Sequence, residues 1–113
     1  MPRLPFEKMA EQILGIKYEL SVVICGDTLA QRMNKQYRKK SYKPNVLSFL
    51  ISKTEGEIFL NVQCAAREAK KYKTTLPKRL ALLFVHGCFH LKGLKHGDKM
   101  EAAEQKVLKK SGF

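Results

Sequence analysis

From Thr28 to Thr54 the chain carries no acidic residue, and from Ala69 to Gly97 it again carries none. Arg32, Lys35, Arg38, Lys39, Lys40, Lys43 and Lys53 all fall in the first of these stretches, within a 113-residue protein of net charge +12. A field of one sign over so much of the chain points to polyanionic partners, chiefly nucleic acid, though charge reports association and not fold or chemistry. Long apolar runs are also missing. The longest, Leu80–Val85, stops at His86, far short of the roughly 18 residues that a membrane helix needs. The first residues, M-P-R-L-P-F-E-K-M-A-E, have acids where a secretory leader has its apolar core. Cysteine is scarce and odd in number: Cys25, Cys64 and Cys88 have no pairing spacing, which suits a reducing cytoplasm better than a disulfide framework. No internal repeat, low-complexity linker or second domain interrupts the sequence, so one domain over residues 1–113 is expected.

Histidine is equally scarce, and its placement is informative. His86, His90 and His96 all lie in Val85–Asp98, V-H-G-C-F-H-L-K-G-L-K-H-G-D. On a helix the first two leave the same face one turn apart. Gly93 then allows a left-handed cap and a sharp return, which would bring His96 toward the other two rings. The pattern H-x-x-x-H-x-x-G-x-x-H thus offers three nitrogen donors for one divalent cation. Three imidazoles leave a fourth position open, as catalytic zinc sites do. Zinc is the expected metal, although ligand preference alone would bind nickel or copper more strongly. Cys88, two residues past His86, points about 200° around the helix from that ring and reads as core.

Apolar spacing supplies the frame. Phe6, Met9, Ile13 and Leu14 give a first amphipathic helix closed by Gly15. Tyr18–Ile24 alternates as a strand, and Val46–Ser52 and Glu57–Leu60 are two more, joined by a polar hairpin connection at Lys53–Gly56. Asp27 is placed to cap a second helix with a Leu29–Met33–Tyr37 stripe and Arg38–Lys40 at its C-terminal end. An alanine-rich helix starts at Asn61. The next, introduced by Thr75 and Pro77 and running from Lys78 to about Lys92, is apolar around most of its girth, as a buried central helix is. Asp98 is placed to cap a last helix, with Glu101 at capping-box spacing. The order is that of an α+β fold, a small sheet packed by about five helices.

Three segments carry a family resemblance: H-G-C-F-H-L-K-G-L-K-H at residues 86–96, Y-R-K-K-S-Y-K-P-N-V-L-S-F at residues 37–49, and A-A-R-E-A at residues 65–69. Together they resemble the bacterial YbeY family of metal-dependent endoribonucleases, from about Leu20 to Lys106. The resemblance implies cleavage of single-stranded RNA, maturation of the 3′ end of 16S rRNA and ribosome quality control, with the small ribosomal subunit as partner. It makes His86, His90 and His96 the ligands of one metal ion and Arg38 the arginine of the active-site cleft. The chain departs from the family in having Lys95 where an aspartate usually precedes the third histidine, in the displaced Lys43-Pro44, and in Gly56-Glu57 for Gly-Asp. The sequence also starts later than the family pattern, so the family's first strand is not expected in it.

A cation held by three imidazoles can activate water and polarise a phosphoryl oxygen, and Arg38 can grip phosphate oxygens with a fork that lysine lacks. Otherwise Arg38 is simply a favourable charge at a helix C-terminus. Lys39, Lys40, Lys70 and Lys71 are solvated side chains that become phosphate contacts if RNA binds. Two other readings compete. Metzincin-type peptidases share the histidine spacing but follow the first histidine with a glutamate base, and this chain has Gly87 there. A non-catalytic RNA- or ribosome-binding protein with a structural metal is the third.

Overall fold

The computed structural model describes residues 4–94 and 97–113. In order, the elements are α1 (Phe6–Leu14), β1 (Glu19–Cys25), α2 (Asp27–Arg38), β2 (Val46–Ser52), β3 (Glu55–Asn61), α3 (Val62–Lys71), α4 (Leu76–Lys92) and α5 (Asp98–Lys110). The sheet has the order β1-β3-β2, with β1 parallel and β2 antiparallel to β3. This is the expected α+β arrangement of a small mixed sheet and five helices. The hairpin turn sits inside the predicted polar connection, so β3 begins two residues earlier than its apolar run suggested.

Alternation along the strands divides the apolar side chains between two faces. Leu20, Val22, Val46, Ile58 and Leu60 pack toward α4 and, with α1, α3 and α5, form the larger core. Val23, Cys25, Leu47, Phe49 and Phe59 face the other way, against Ala30, Leu29 and Met33 of α2. Helix α4 is the buried axis: Leu80, Ala81, Leu83, Phe84, Val85, Gly87, Cys88, Phe89 and Leu91 are all buried. Thr75 accepts from the backbone N–H of Lys78 with Pro77 in the first turn, so the helix starts at Leu76 rather than Lys78. Asn61 caps α3 in the same way, accepting from Cys64 N.

Three local expectations fail, two of them because a polar partner outside the helix wins. Asp27 does not cap α2. Gly26 holds that position, and the Asp27 carboxylate instead accepts two hydrogen bonds from Arg67, each 2.8 Å, and one from Asn61 Nδ2 at 2.9 Å. A forked charge-assisted pair outweighs a neutral cap bond. The α2 stripe is also rotated. Ala30 and Asn34 are its buried pair, while Tyr37 is 58% exposed. Asn34 is inside because its side-chain amide donates to Tyr42 O (3.0 Å) and its backbone carbonyl accepts from Lys40 N, which pins the segment after α2. Asp98 likewise does not cap α5. Gly97 does, and Asp98 and Glu101 lie in the first turn, where acids complement the helix dipole.

Candidate active site

One face of α4 escapes burial. Arg79, Leu82, His86 and His90 recur at three- and four-residue spacing and are only half-buried, while the other residues from Leu80 to Leu91 are buried. That face lines an open cleft of about 610 Å³ whose other walls include Arg38, Tyr42, Ser48 and, from α5, Glu101 and Glu104. The sheet fixes the height of the helix. Gly87 packs so closely on β2 and β3 that an added Cβ would lie 2.9 Å from Ser48 Oγ, 3.2 Å from Ile58 Cδ1 and 3.3 Å from Val46 Cγ2. Ser48 also donates to Gly87 O at 3.0 Å. The two histidines on either side of this contact are therefore held at a set distance from the strands.

The histidine pair has a specific chemistry. His86 Nδ1 lies 2.6 Å from Glu104 Oε2, and Glu104 is a buried residue of α5. A carboxylate only accepts, so Nδ1 bears the proton and, in the neutral ring, Nε2 bears the lone pair. His90 Nε2 is 3.0 Å from that atom, and the rings meet edge to face. Two nitrogens bound tetrahedrally to zinc at about 2.0–2.1 Å are roughly 3.3 Å apart, so the pair fits a shared cation. Carboxylate support of a ligating imidazole is the usual companion of such sites. The chain leaves α4 as the glycine bend requires: Gly93 is left-handed, with φ 98° and ψ 8°, and Leu94 N bonds back to Phe89 O.

The predicted residues divide as follows. His86, His90 and Arg38 meet in the cleft. His96, the third predicted ligand, and Lys95 lie outside the described residues. Among the described residues no three His, Cys, Asp or Glu side chains gather at a point that could hold a metal. Lys39 and Lys40 are exposed beyond the end of α2, Lys39 serving as its left-handed cap, and neither is among the residues that line the cleft. Lys70 and Lys71 are exposed at the end of α3. Cys88 is fully buried, and burial pushes its thiol up to about 12, in keeping with a core residue.

Two cleft residues went unread in the sequence. Glu104 falls four residues after Met100 and three before Val107, inside an apolar stripe, and a carboxylate on a buried face is the signal that would have found it. Arg79 precedes His86 by seven residues on the same helical face. Its Nε donates to Glu68 Oε1 at 2.9 Å, and its guanidinium lies 5.0 Å from the centre of the Tyr72 ring. Glu68 in turn accepts from Asn45 Nδ2 at 3.1 and 3.3 Å.

The class of protein is thus a small α+β protein with a helix-borne imidazole pair, supported by a buried carboxylate, in a cleft walled by arginines. Comparison with known proteins makes the assignment particular. The profile of the endoribonuclease YbeY family matches residues 4–112, and the chain belongs to that family. It is 38% identical over 111 residues to endoribonuclease YbeY of Mycoplasma capricolum, covering 80% of this chain and 68% of that protein. Identity to the Mycoplasma mycoides protein of the same name is 41% over 91 residues, 71% of this chain and 56% of that one. With that of Geobacter metallireducens it is 35% over 126 residues, 94% and 83%. The chain therefore spans about half to four-fifths of these relatives. The fold is also similar to the solution structure of TM1509 from Thermotoga maritima, with a TM-score of 0.70 and 21% identity over 93% of this chain and 75% of that one. No helix among the described residues is long and apolar enough to cross a membrane.

Proposed function

We propose that this protein hydrolyses phosphodiesters of single-stranded RNA, with His86, His90 and His96 holding one divalent cation and Arg38 binding the phosphate. By family, its task is 16S rRNA 3′-end maturation and ribosome quality control in the cytoplasm, with the small ribosomal subunit as partner. The observation that carries the reading is the His86–His90 pair, nitrogens 3.0 Å apart and backed by Glu104, in the cleft that Arg38 also lines. When bound, the cation, Zn2+ by preference and Ni2+ as the alternative, supplies Lewis-acid polarisation and water activation near neutral pH.

The side chains divide the remaining work. Glu104 fixes the tautomer and the orientation of His86, so that Nε2 is aimed into the cleft with its lone pair. The arginine fork of Arg38, exposed at the last turn of α2, accommodates two phosphate oxygens and strengthens its contact as negative charge accumulates in the transition state. Gln31 and Asn34 hold the following segment by donating to Ser41 O (2.7 Å) and Tyr42 O (3.0 Å), which sets the mouth of the cleft. The field of +12 concentrates the polyanion around it.

Peptide hydrolysis loses support at position 87. A metzincin-type base would stand there, and the gap between α4 and the strands has no room for it. The test is metal analysis of the purified protein combined with cleavage of a labelled single-stranded RNA. Wild type should bind about one equivalent of metal and cleave. A variant with all three histidines changed to alanine should lose both, and Arg38→Ala should keep the metal and lose about a hundredfold or more in kcat/KM. RNA cleavage that persists in the histidine variant would end the proposal.

A further inference from the structure

The cleft contains a second arginine that neither the histidine motif nor the proposed reaction uses. Arg79 sits on the same face of α4 as the histidines, with only 17% of its side chain exposed. Its Nε is committed to Glu68 and its flat face to Tyr72. The guanidinium is thereby fixed in plane before any ligand arrives. Glu68 is itself held by Asn45, so the support reaches from α3 to the start of β2. A guanidinium has five N–H donors. Among the described residues only Nε has a protein acceptor, so the four Nη–H donors remain to meet water or an anion at the cleft wall. A guanidinium held in plane at a cleft wall, with its Nη–H donors open to that cleft, is set up for a charge-assisted pair with an anion.

Distance says which anion. Seven helical residues separate Arg79 from His86, about 10.5 Å along the axis. The two residues thus stand at different heights along one continuous groove, about two turns of helix apart. We infer that Arg79 is a substrate-binding residue that grips a neighbouring phosphate of the same RNA strand, upstream or downstream of the one at the histidines. This rests on the RNA-cleaving reading and deepens it: the substrate is a chain of several nucleotides, and the protein recognises its backbone at a second point. Glu68 and Tyr72 are positioning residues for that grip.

The test separates binding from chemistry. Binding of a fluorescent single-stranded 2′-deoxy oligonucleotide, checked to be intact on a gel after each titration, is measured by anisotropy over a salt series, for wild type, Arg79→Gln, Arg79→Lys and Glu68→Gln. One lost phosphate contact lowers the slope of log affinity against log salt by about 0.7. Arg79→Gln should show that change, Arg79→Lys should restore most of the slope at weaker affinity, and Glu68→Gln should weaken binding with the slope kept. On RNA, Arg79→Gln should lose about tenfold in kcat/KM, carried by KM, the order of one charge-assisted hydrogen bond. A substrate with a single phosphodiester should register much less of this loss. A slope unchanged in Arg79→Gln overturns the inference, as does an equal loss on both substrates, since either makes the residue a purely structural link from α4 to α3. A melting-temperature measurement on each variant identifies any that fails to fold, and the lysine variant, which keeps the charge beside Glu68, then decides. Wild type that binds neither this oligonucleotide nor its RNA counterpart sinks the RNA-cleaving reading together with this one, whereas wild type that binds with an unaltered Arg79→Gln slope sinks this one alone.

Discussion

The two faces of the sheet hold opposite kinds of equipment. The face toward α4 is covered by four helices and centred on Phe84, Leu80, Ile58 and Leu60, all with essentially no exposure. The face toward α2 rests on a small cluster, Cys25, Ala30, Leu47 and Phe59. The histidines ride on the first and Arg38 ends the helix of the second. Groups that must converge on one cation need sub-ångström constancy, and only a densely packed support gives that. An arginine that follows a flexible polyanion gains from a long side chain on a lighter mount. The division of packing therefore matches the division of proposed chemistry.

The contrast can be broken most severely in the larger core. Phe84→Ala should cost about 3–5 kcal/mol, a large share of the roughly 5–15 kcal/mol by which native domains are stable. Leu47→Ala, in the smaller cluster, should cost about 2 kcal/mol, at the low end for such a truncation. Urea denaturation compares the two, and equal losses would remove the asymmetry. Glu104→Gln sharpens the contrast without touching apolar packing. Metal affinity should drop by about 10–100-fold, read by competition with a chromogenic chelator, with the fold intact by circular dichroism.

The smallest expected effect is at the tie between the two sides. The Arg67 guanidinium and the Asn61 amide hold the Asp27 carboxyl well below the usual carboxylate range, and Asp27 starts α2 while Arg67 belongs to α3. Since its folded-state value is lowered, the pair contributes stability above the ordinary value near 3.8, and that contribution is lost as pH falls below it. Asp27→Asn should accordingly lower the neutral-pH melting point slightly, since exposed pairs contribute little, and the wild-type and variant melting points should converge as pH falls toward about 2.

The elements were legible because their signals are local. Alternation in β1 and β2, the caps at Asn61 and Thr75, and the girth of α4 each lie within a few residues of sequence. The placement of His86 and His90 on one helical face followed from spacing alone. What escaped was every feature whose partner is distant. Asp27 reads as a cap until Arg67, forty residues on, claims it. Tyr37 reads as core until Asn34 is called inside by Tyr42 O. Glu104 and Arg79 join the cleft only when α5 folds over His86 and α3 presents Glu68. Sequence periodicity reports which face of a helix is apolar, but not which polar side chain a neighbouring element will recruit.

The absent side chain at Gly87 governs what this scaffold can become. With less than an atom's clearance between α4 and the strands, installing a glutamate there to imitate a peptidase would prise the helix off its bed and scatter the imidazoles it was meant to assist. Redesign toward other hydrolytic chemistry has to begin on the far walls of the cleft, at exposed positions such as Tyr42 and Glu101.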